Sequence, residues 1–225
     1  ISDVAISKAK LVRRKDAQFR IVDVCNTIIM SDKVFDCVYL GEILEHIEKD
    51  YFLFDNILRI VRKNSLIVVS VPNGNRIPDE SHCRFFTVPE IRRQYSRYGK
   101  VEFVNWTGFK DRILFTIELG SKNSDLIDLV MCVKDEEKGL ETAIISALPL
   151  VDKVVISVDS LSTDKTAEIA NLYADELKTH IWSDDFSQMS NYAGNSVKSK
   201  WVLFLDGHEY IEKMGDIRSK LLLDV

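Results

Sequence analysis

Trp201-Val202-Leu203-Phe204-Leu205 runs directly into Asp206-Gly207-His208-Glu209. Five apolar residues bounded by a turn have the length of a buried strand and are too few for a core helix. In an open α/β sheet, ligands bind just beyond the carboxyl ends of the strands. Asp206 and His208 are two apart, so in extended chain they point the same way. A carboxylate oxygen and an imidazole nitrogen are reasonable ligands for Mn²⁺, and for Mg²⁺ with more difficulty. Alone, the tetrapeptide fits an ordinary polar turn at least as well, because turns use Asp and Gly freely.

The same pattern recurs upstream. Residues 126–133 and 154–158 are further strand-like runs, followed by Lys134-Asp135-Glu136-Glu137 and by Asp159-Ser160-Leu161-Ser162-Thr163-Asp164-Lys165-Thr166. Helical patterns over 136–148, 163–173 and 187–197 separate the strands, with another possible strand at 177–182. Strand and helix in alternation predict α/β layers. If the strands are parallel neighbours, the three polar clusters meet at one sheet edge. Asp159 then has the chemistry to accept hydrogen bonds from a base or ribose, and Ser162, Thr163 and Asp164 to cap the next helix. Taken alone, residues 159–166 are better explained by a turn with a helix cap, without any ligand.

Residues 1–119 repeat the alternation with different motifs. A helix is expected over 2–14, a strand over 35–40 and a helix over 42–61. A β-branched strand covered on both faces follows at 66–71, broken by Pro72-Asn73-Gly74-Asn75. Thr87 and Glu90 form a capping box at the start of a helix that ends near Gly99. Runs at 101–106 and 112–119 suggest a hairpin. The polar stretch 120–125 is the best linker. The fold class is therefore α/β: two consecutive Rossmann-like three-layer units, residues 1–119 and 126–225. Glu42 and His46, at i and i+4, suggest a metal pair or, more simply, a solvated contact on a helix face. Glu45 fits a helix N-terminus, His82 a loop, and Arg92, Arg93 and Arg97 a solvated helix face.

Composition narrows the function classes. The 225 residues are 46% hydrophobic and 29% charged, which fits an ordinary globular chain. A net charge of −5 leaves no basic footprint for nucleic acid. No apolar stretch approaches the roughly 20 residues of a membrane helix. Cys25, Cys37, Cys83 and Cys132 contain no CxxC pair and read as reduced thiols of a cytoplasmic protein. The start at Ile1 and the uncapped apolar pattern at 221–225 suggest an excerpt of a longer chain.

Residues 126–225 resemble the amino-terminal, donor-binding half of family 2 glycosyltransferases, which have the GT-A fold. That family carries K-N-E-E, D-x-x-S-T-D-x-T, D-D-F-S-x-x-R-N and W-x-x-x-L-D-x-D-E in this order. Here they stand as residues 134–137, 159–166, 184–191 and 201–209, with similar spacing over about one hundred residues. The resemblance implies donor contacts from Lys134, Glu136, Asp159, Ser162, Asp185, Asn191 and Asp206. It implies Mn²⁺ or Mg²⁺ on Asp206 and His208, and a nucleotide-sugar donor, with a UDP-sugar expected. The chain departs from the pattern at Asp135 (usually Asn), at Ser190 (usually an Arg that steadies the diphosphate) and at His208 (usually Asp). A D-x-H motif binds Mn²⁺ in the related mucin-type sugar transferases, so the last swap preserves the chemistry but makes metal binding more pH-sensitive. The family's catalytic base is expected beyond Val225.

Residues 1–119 resemble class I S-adenosylmethionine-dependent methyltransferases. The resemblance rests on Phe35-Asp36-Cys37-Val38, on Glu42-Ile43-Leu44-Glu45-His46, on the strand ending Val71-Pro72-Asn73, and on His82, Phe86-Thr87 and Glu90. It implies S-adenosylmethionine near Asp23, Val24, Leu40, Gly41 and Glu42, although Asp23 fits a turn cap equally well. The family's glycine loop and ribose-binding acid would precede Ile1. Together the two resemblances imply a piece of a bifunctional sugar-modifying enzyme acting on a glycan, peptide or lipid-linked acceptor. A degenerate nucleotide-sugar-binding or scaffold module is the alternative.

Overall fold

A computed structural model describes residues 22–24, 26, 30–74, 76–105, 108, 110–121, 126–183, 185–213, 215, 217 and 220–221. The helix expected over 2–14, the linker core at 122–125 and residues 222–225 lie outside them. Among the described residues the chain forms two four-stranded sheets. No described helix is long and apolar enough to cross a membrane.

The first sheet contains β1 (Phe35–Gly41), β2 (Val61–Pro72), β3 (Gly99–Phe103) and β4 (Arg112–Leu119), in the order β1-β2-β4-β3. β1 and β2 are parallel, whereas β4 runs antiparallel to both β2 and β3. The expected hairpin is thus present. Ile67, Val69, Val71, Ile113, Phe115 and Ile117 are fully buried on one face. The other face is only partly covered: Leu66 is 37% exposed and Ser70 8%. The β-branched run at 66–71 is therefore covered on one face and not on both. Its composition does not distinguish the two cases, because Leu66 and Val68 among its outward positions are also apolar.

Two helices, α1 (Tyr51–Ile60) and α2 (Val88–Tyr95), pack on the buried face. The capping box at α2 forms as expected: the Thr87 hydroxyl accepts from the Glu90 amide, and the Glu90 carboxylate accepts from the Thr87 amide. The single helix expected over 42–61 does not form. The chain makes a 3₁₀ turn at Leu44–His46 and begins α1 only at Tyr51. The reason is a tertiary partner. The Glu45 carbonyl, which a helix would pair four residues on, accepts instead from the Cys83 amide at 2.9 Å and the Arg84 amide at 3.3 Å.

The second sheet is all parallel. It contains β5 (Ile127–Val133), β6 (Lys153–Asp159), β7 (Glu176–His180) and β8 (Trp201–Phe204), in the order β7-β6-β5-β8. Three helices follow from the crossovers: α3 (Leu140–Ala147), α4 (Thr166–Tyr173) and α5 (Phe186–Gly194). The two-residue alternation divides the strands. Leu129, Met131, Val154 and Ile156 join the core with Ala143, Ile144, Ala170 and Tyr173, while Val130 and Val155 pack with Ala193 of α5. This makes three layers, α3 and α4, then the sheet, then α5. The last strand is a sheet edge and not a buried strand. Phe204 is 55% exposed.

Both sheets contribute to one continuous apolar cluster. Polar bonds also tie them. Arg92 of α2 forms an ion pair with Asp175 and lies over the Phe103 ring. Its side chain is only 13% exposed, so Arg92 does not belong to a solvated helix face. The Lys110 ammonium donates to Thr142 at 2.8 Å. Arg76 pairs with Glu141, and the buried Tyr173 hydroxyl bridges Glu141 and Asn73.

Candidate functional site

The parallel order of the second sheet brings the carboxyl ends of β5, β7 and β8 to one edge. A cleft of about 320 Å³ opens there. Lys134 and Glu136 line it after β5, His180 and Trp182 after β7, and Asp206 and His208 after β8. The volume lies within the range of small-molecule sites. A second hollow of about 590 Å³ lies beside Ser160, Thr179, Gln188 and Tyr192, and His180 lines both.

Backbone locks shape the first loop. Asp135 adopts a left-handed φ of 50°, which Asn and Asp tolerate better than most residues. Its carboxylate accepts from the Thr163 amide at 2.7 Å. The Glu136 amide donates to the Thr166 hydroxyl at 2.7 Å and the Glu137 amide to Asp164 at 3.0 Å. Asp135 is therefore a structural member of the loop. Asp164 also accepts from the Thr166 amide, which starts α4. The Ser162 hydroxyl accepts from the Asp135 amide at 3.4 Å. The N-cap is Lys165, whose side chain makes no cap bond, so none of the three caps the helix as expected. Asp164 shapes the turn before it, and Ser162 and Thr163 hold the neighbouring loop.

Asp159 is buried at the end of β6. Its Oδ1 accepts from the Leu161 amide at 2.9 Å and its Oδ2 lies 3.2 Å from the Lys134 ammonium. The Leu161 amide, together with Lys134, holds its carboxyl below the usual carboxylate range. The β8 turn approaches the β5 loop closely. A side chain at Gly207 would meet Glu136 Cβ at 2.8 Å, and one at Gly139 would meet the Gly207 carbonyl at 2.6 Å.

Asp206 to Glu209 is not extended. The Glu209 amide donates to the Asp206 carbonyl at 3.1 Å, and the Asp206 amide to the Glu209 carboxylate at 3.1 Å. The same-side rule for strands therefore does not apply to Asp206 and His208, because β8 ends at Phe204. His208 Nδ1 faces Glu136 Oε1 at 3.3 Å. Burial and the Asp206 charge push the Cys132 thiol up. Asp185 caps α5 by accepting from the Gln188 amide at 3.1 Å. Asp159, Ser162, Asp185 and Asn191 do not line the cleft, so the cluster after β6 does not meet those after β5 and β8 there. His180 and Trp182 do line it, although the sequence pattern marks Asp184 and Asp185 just beyond them instead.

On the first sheet, Leu40, Gly41 and Glu42 sit at the carboxyl end of β1. Glu42 adopts a φ of 51°, accepts from Ser70 at 2.9 Å and from Arg112 at 3.2 Å. It is not paired with His46 on a helix. Asp23 accepts from the Asn26 side chain at 2.5 Å, and the Asn26 amide bonds its carbonyl, so it caps a turn that includes Val24.

The amino-terminal part of the chain has a family match. Residues 1–69 match the model of a methyltransferase domain. The described part of the match includes β1, the 44–46 turn, α1 and most of β2. A TPR repeat-containing protein of Synechococcus elongatus is 33% identical over 97 residues, 42% of this chain. The chain spans about a quarter of that protein's length, 24%. Structures of S. aureus TarS 1–349, alone and in complex with UDP, align over 44% of this chain and 32% of theirs. The TM-score is 0.36 for each, with 20% and 19% identity.

Proposed function

We propose that residues 126–225 are the donor half of a glycosyltransferase and that residues 1–119 are a methyltransferase unit using S-adenosylmethionine, joined at 120–125. The single observation that carries the glycosyl reading is the convergence of Lys134, Glu136, Asp206 and His208 on one cleft at the carboxyl edge of a parallel sheet. A cation and two carboxylates beside an imidazole suit a nucleoside diphosphate with a divalent ion. Lys134 offers charge to a phosphate. Asp206, with His208, provides oxygen and nitrogen donors for Mn²⁺ or Mg²⁺. The metal would neutralise the diphosphate as leaving group. An acceptor hydroxyl would form the new bond at the anomeric carbon as the sugar–phosphate bond breaks, the diphosphate leaving with its electron pair and the hydroxyl proton passing to a general base of the acceptor half. On the first sheet, Leu40, Gly41 and Glu42 stand where S-adenosylmethionine would lie, with Asp23 and Val24 at the adenine end. The substrate is a nucleotide-sugar, with a UDP-sugar the first to test. The acceptor is a glycan, a peptide or a lipid-linked sugar.

The pairing of His208 with Glu136 favours a second reading, a nucleotide-sugar-binding module without transfer. Calorimetric titration of the chain with UDP, with and without Mn²⁺, tests the donor site. Binding that tightens with Mn²⁺ and loses that gain in Asp206→Ala is expected. Absence of UDP binding, or no effect of Asp206→Ala, would sink the donor assignment. Binding of a UDP-sugar without its hydrolysis would favour the second reading.

A further inference from the structure

Among the described residues, one group of three side chains stands near metal-ligating separation, and it is not in the cleft. Glu45, His46 and His82 offer a carboxylate oxygen and two imidazole nitrogens, all within 4.8 Å of one another. The 3₁₀ turn after β1 supplies the first two, and the loop before α2 supplies the third. The carbonyl of Glu45 ties the two segments through the Cys83 and Arg84 amides.

Three features of the cluster point to an ion. Glu45 is 1% exposed, and neither carboxylate oxygen has a hydrogen-bond donor. A buried carboxylate without a donor is expensive, so it must take a proton or a cation. The nearby Arg84 is turned away and pairs with Asp50 at 2.9 Å. His82 Nδ1 is likewise buried without a partner. Finally, His46 Nδ1 lies 3.2 Å from the Ser81 carbonyl. A ring that donates Nδ1–H to a carbonyl leaves the Nε2 lone pair for a metal. Nε2 is the nitrogen that faces Glu45, at 3.9 Å from Oε1. The Ser81 hydroxyl, 3.1 Å from the same Nδ1, donates to Asp79 at 2.5 Å and braces the ring from behind.

We propose that Glu45, His46 and His82 form a binding site for a first-row divalent transition ion, with its remaining positions open to water or a substrate oxygen. One carboxylate and two imidazoles suit Mn²⁺, Fe²⁺, Co²⁺ or Zn²⁺ better than Mg²⁺ or Ca²⁺. Metal bonds of about 2.0–2.2 Å need the ligand atoms closer than they now stand. Closing the gap requires the 44–46 turn and the loop at 81–82 to approach together, so that His46, 41% exposed, keeps its Ser81 bond. The site does not depend on the glycosyl assignment, and it lies on the other sheet.

Equilibrium dialysis of the chain against Co²⁺, with visible absorption and metal analysis, tests the site. Wild type and Asp206→Ala should both retain one equivalent at this site. His46→Ala and His82→Ala should weaken it by about tenfold or more, since changes even behind the ligands cost about 10–100-fold. His46 is exposed enough that its alanine variant should fold, which circular dichroism would check. Glu45→Gln should fold with unchanged shape yet lose the rise in thermal midpoint that Co²⁺ gives wild type. Equal Co²⁺ affinity in wild type and His46→Ala would overturn the proposal. So would binding of Co²⁺ only at a site that Asp206→Ala abolishes.

Discussion

Replacing Tyr173 by Phe tests whether the two sheets are held as one body. Tyr173 is fully buried on α4, in the second sheet's layer. Its hydroxyl donates to Glu141 Oε1 at 2.6 Å and accepts from the Asn73 amide group at 2.7 Å. Asn73 follows β2 of the first sheet, so the hydroxyl joins both. The substitution keeps the ring and removes two bonds. A bond to a charged group is worth about 2 kcal/mol and a neutral one about 1 kcal/mol. Glu141 retains Arg76, and the Asn73 amide retains the Lys110 carbonyl at 3.1 Å. The loss should therefore be about 2 kcal/mol, short of the full sum. For a chain of this size that lowers the thermal midpoint by roughly 4–8 °C. Guanidinium unfolding followed by Trp fluorescence and far-UV circular dichroism should give coincident transitions, with the midpoint lowered and the slope unchanged. Burial and the adjacent Glu141 carboxylate push the Tyr173 pKa far up, so the effect should not vary between pH 6 and 9. A loss below about 0.5 kcal/mol, the scale of an inert surface change, would refute the reasoning. Separate transitions for the two probes would do the same.

Three other outcomes are expected. Thr87→Ala should cost about 1 kcal/mol by opening the capping box at α2, seen as a lower urea midpoint. Gly139→Ala should cost about 1–3 kcal/mol, because its methyl would meet backbone at the Gly207 carbonyl and little there can yield; UDP binding should weaken with it. Burial lowers the His180 pKa, while the Asp159 charge opposes the shift. A folded value below the unfolded one of about 6.5 means that the His180 contribution is complete above that pH and is lost as pH falls through the folded value. The ring should titrate below about pH 6.5 by NMR, and His180→Gln should reduce the loss of stability between pH 7 and 5. A midpoint above 6.5 would contradict the burial argument.

The sheets were legible in the sequence where apolar runs are long and helical patterns separate them, as at β5, β6 and β2. The α2 cap was legible because its two bonds need only Thr87 and Glu90 at a fixed spacing. The break within 42–61 was not. Helical periodicity over that stretch is genuine, but the Glu45 carbonyl finds partners about forty residues on, and periodicity carries no record of such a bond. For the same reason Arg92 read as solvent-facing, although its partner Asp175 lies just before β7 of the other sheet. Edge position was equally hidden at β8, since an apolar pentapeptide does not state how many neighbours it has. In the cleft, Lys134, Glu136, Asp206 and His208 were found through the rule that strand ends converge. His180 and Trp182 were missed because the acidic pair Asp184-Asp185 just beyond them drew the motif assignment past the end of β7.

The loop after β5 shows how one short motif divides its labour. Asp135 takes the left-handed conformation, and the side chains on either side of it diverge. Asp135 and Glu137 turn to the loop at 162–165, where they accept from the Thr163 and Lys165 amides. Lys134 and Glu136 face the cleft. The two outward carboxylates therefore act on neighbouring backbone, which leaves one cation and one carboxylate for a ligand. Gly207 completes the arrangement, because only a residue without a side chain lets the β8 turn lie against Glu136. The tetrapeptide at 206–209 thus depends on a partner loop seventy residues earlier. Alone it fits any turn, and its chemistry as a site comes from the loop it packs against.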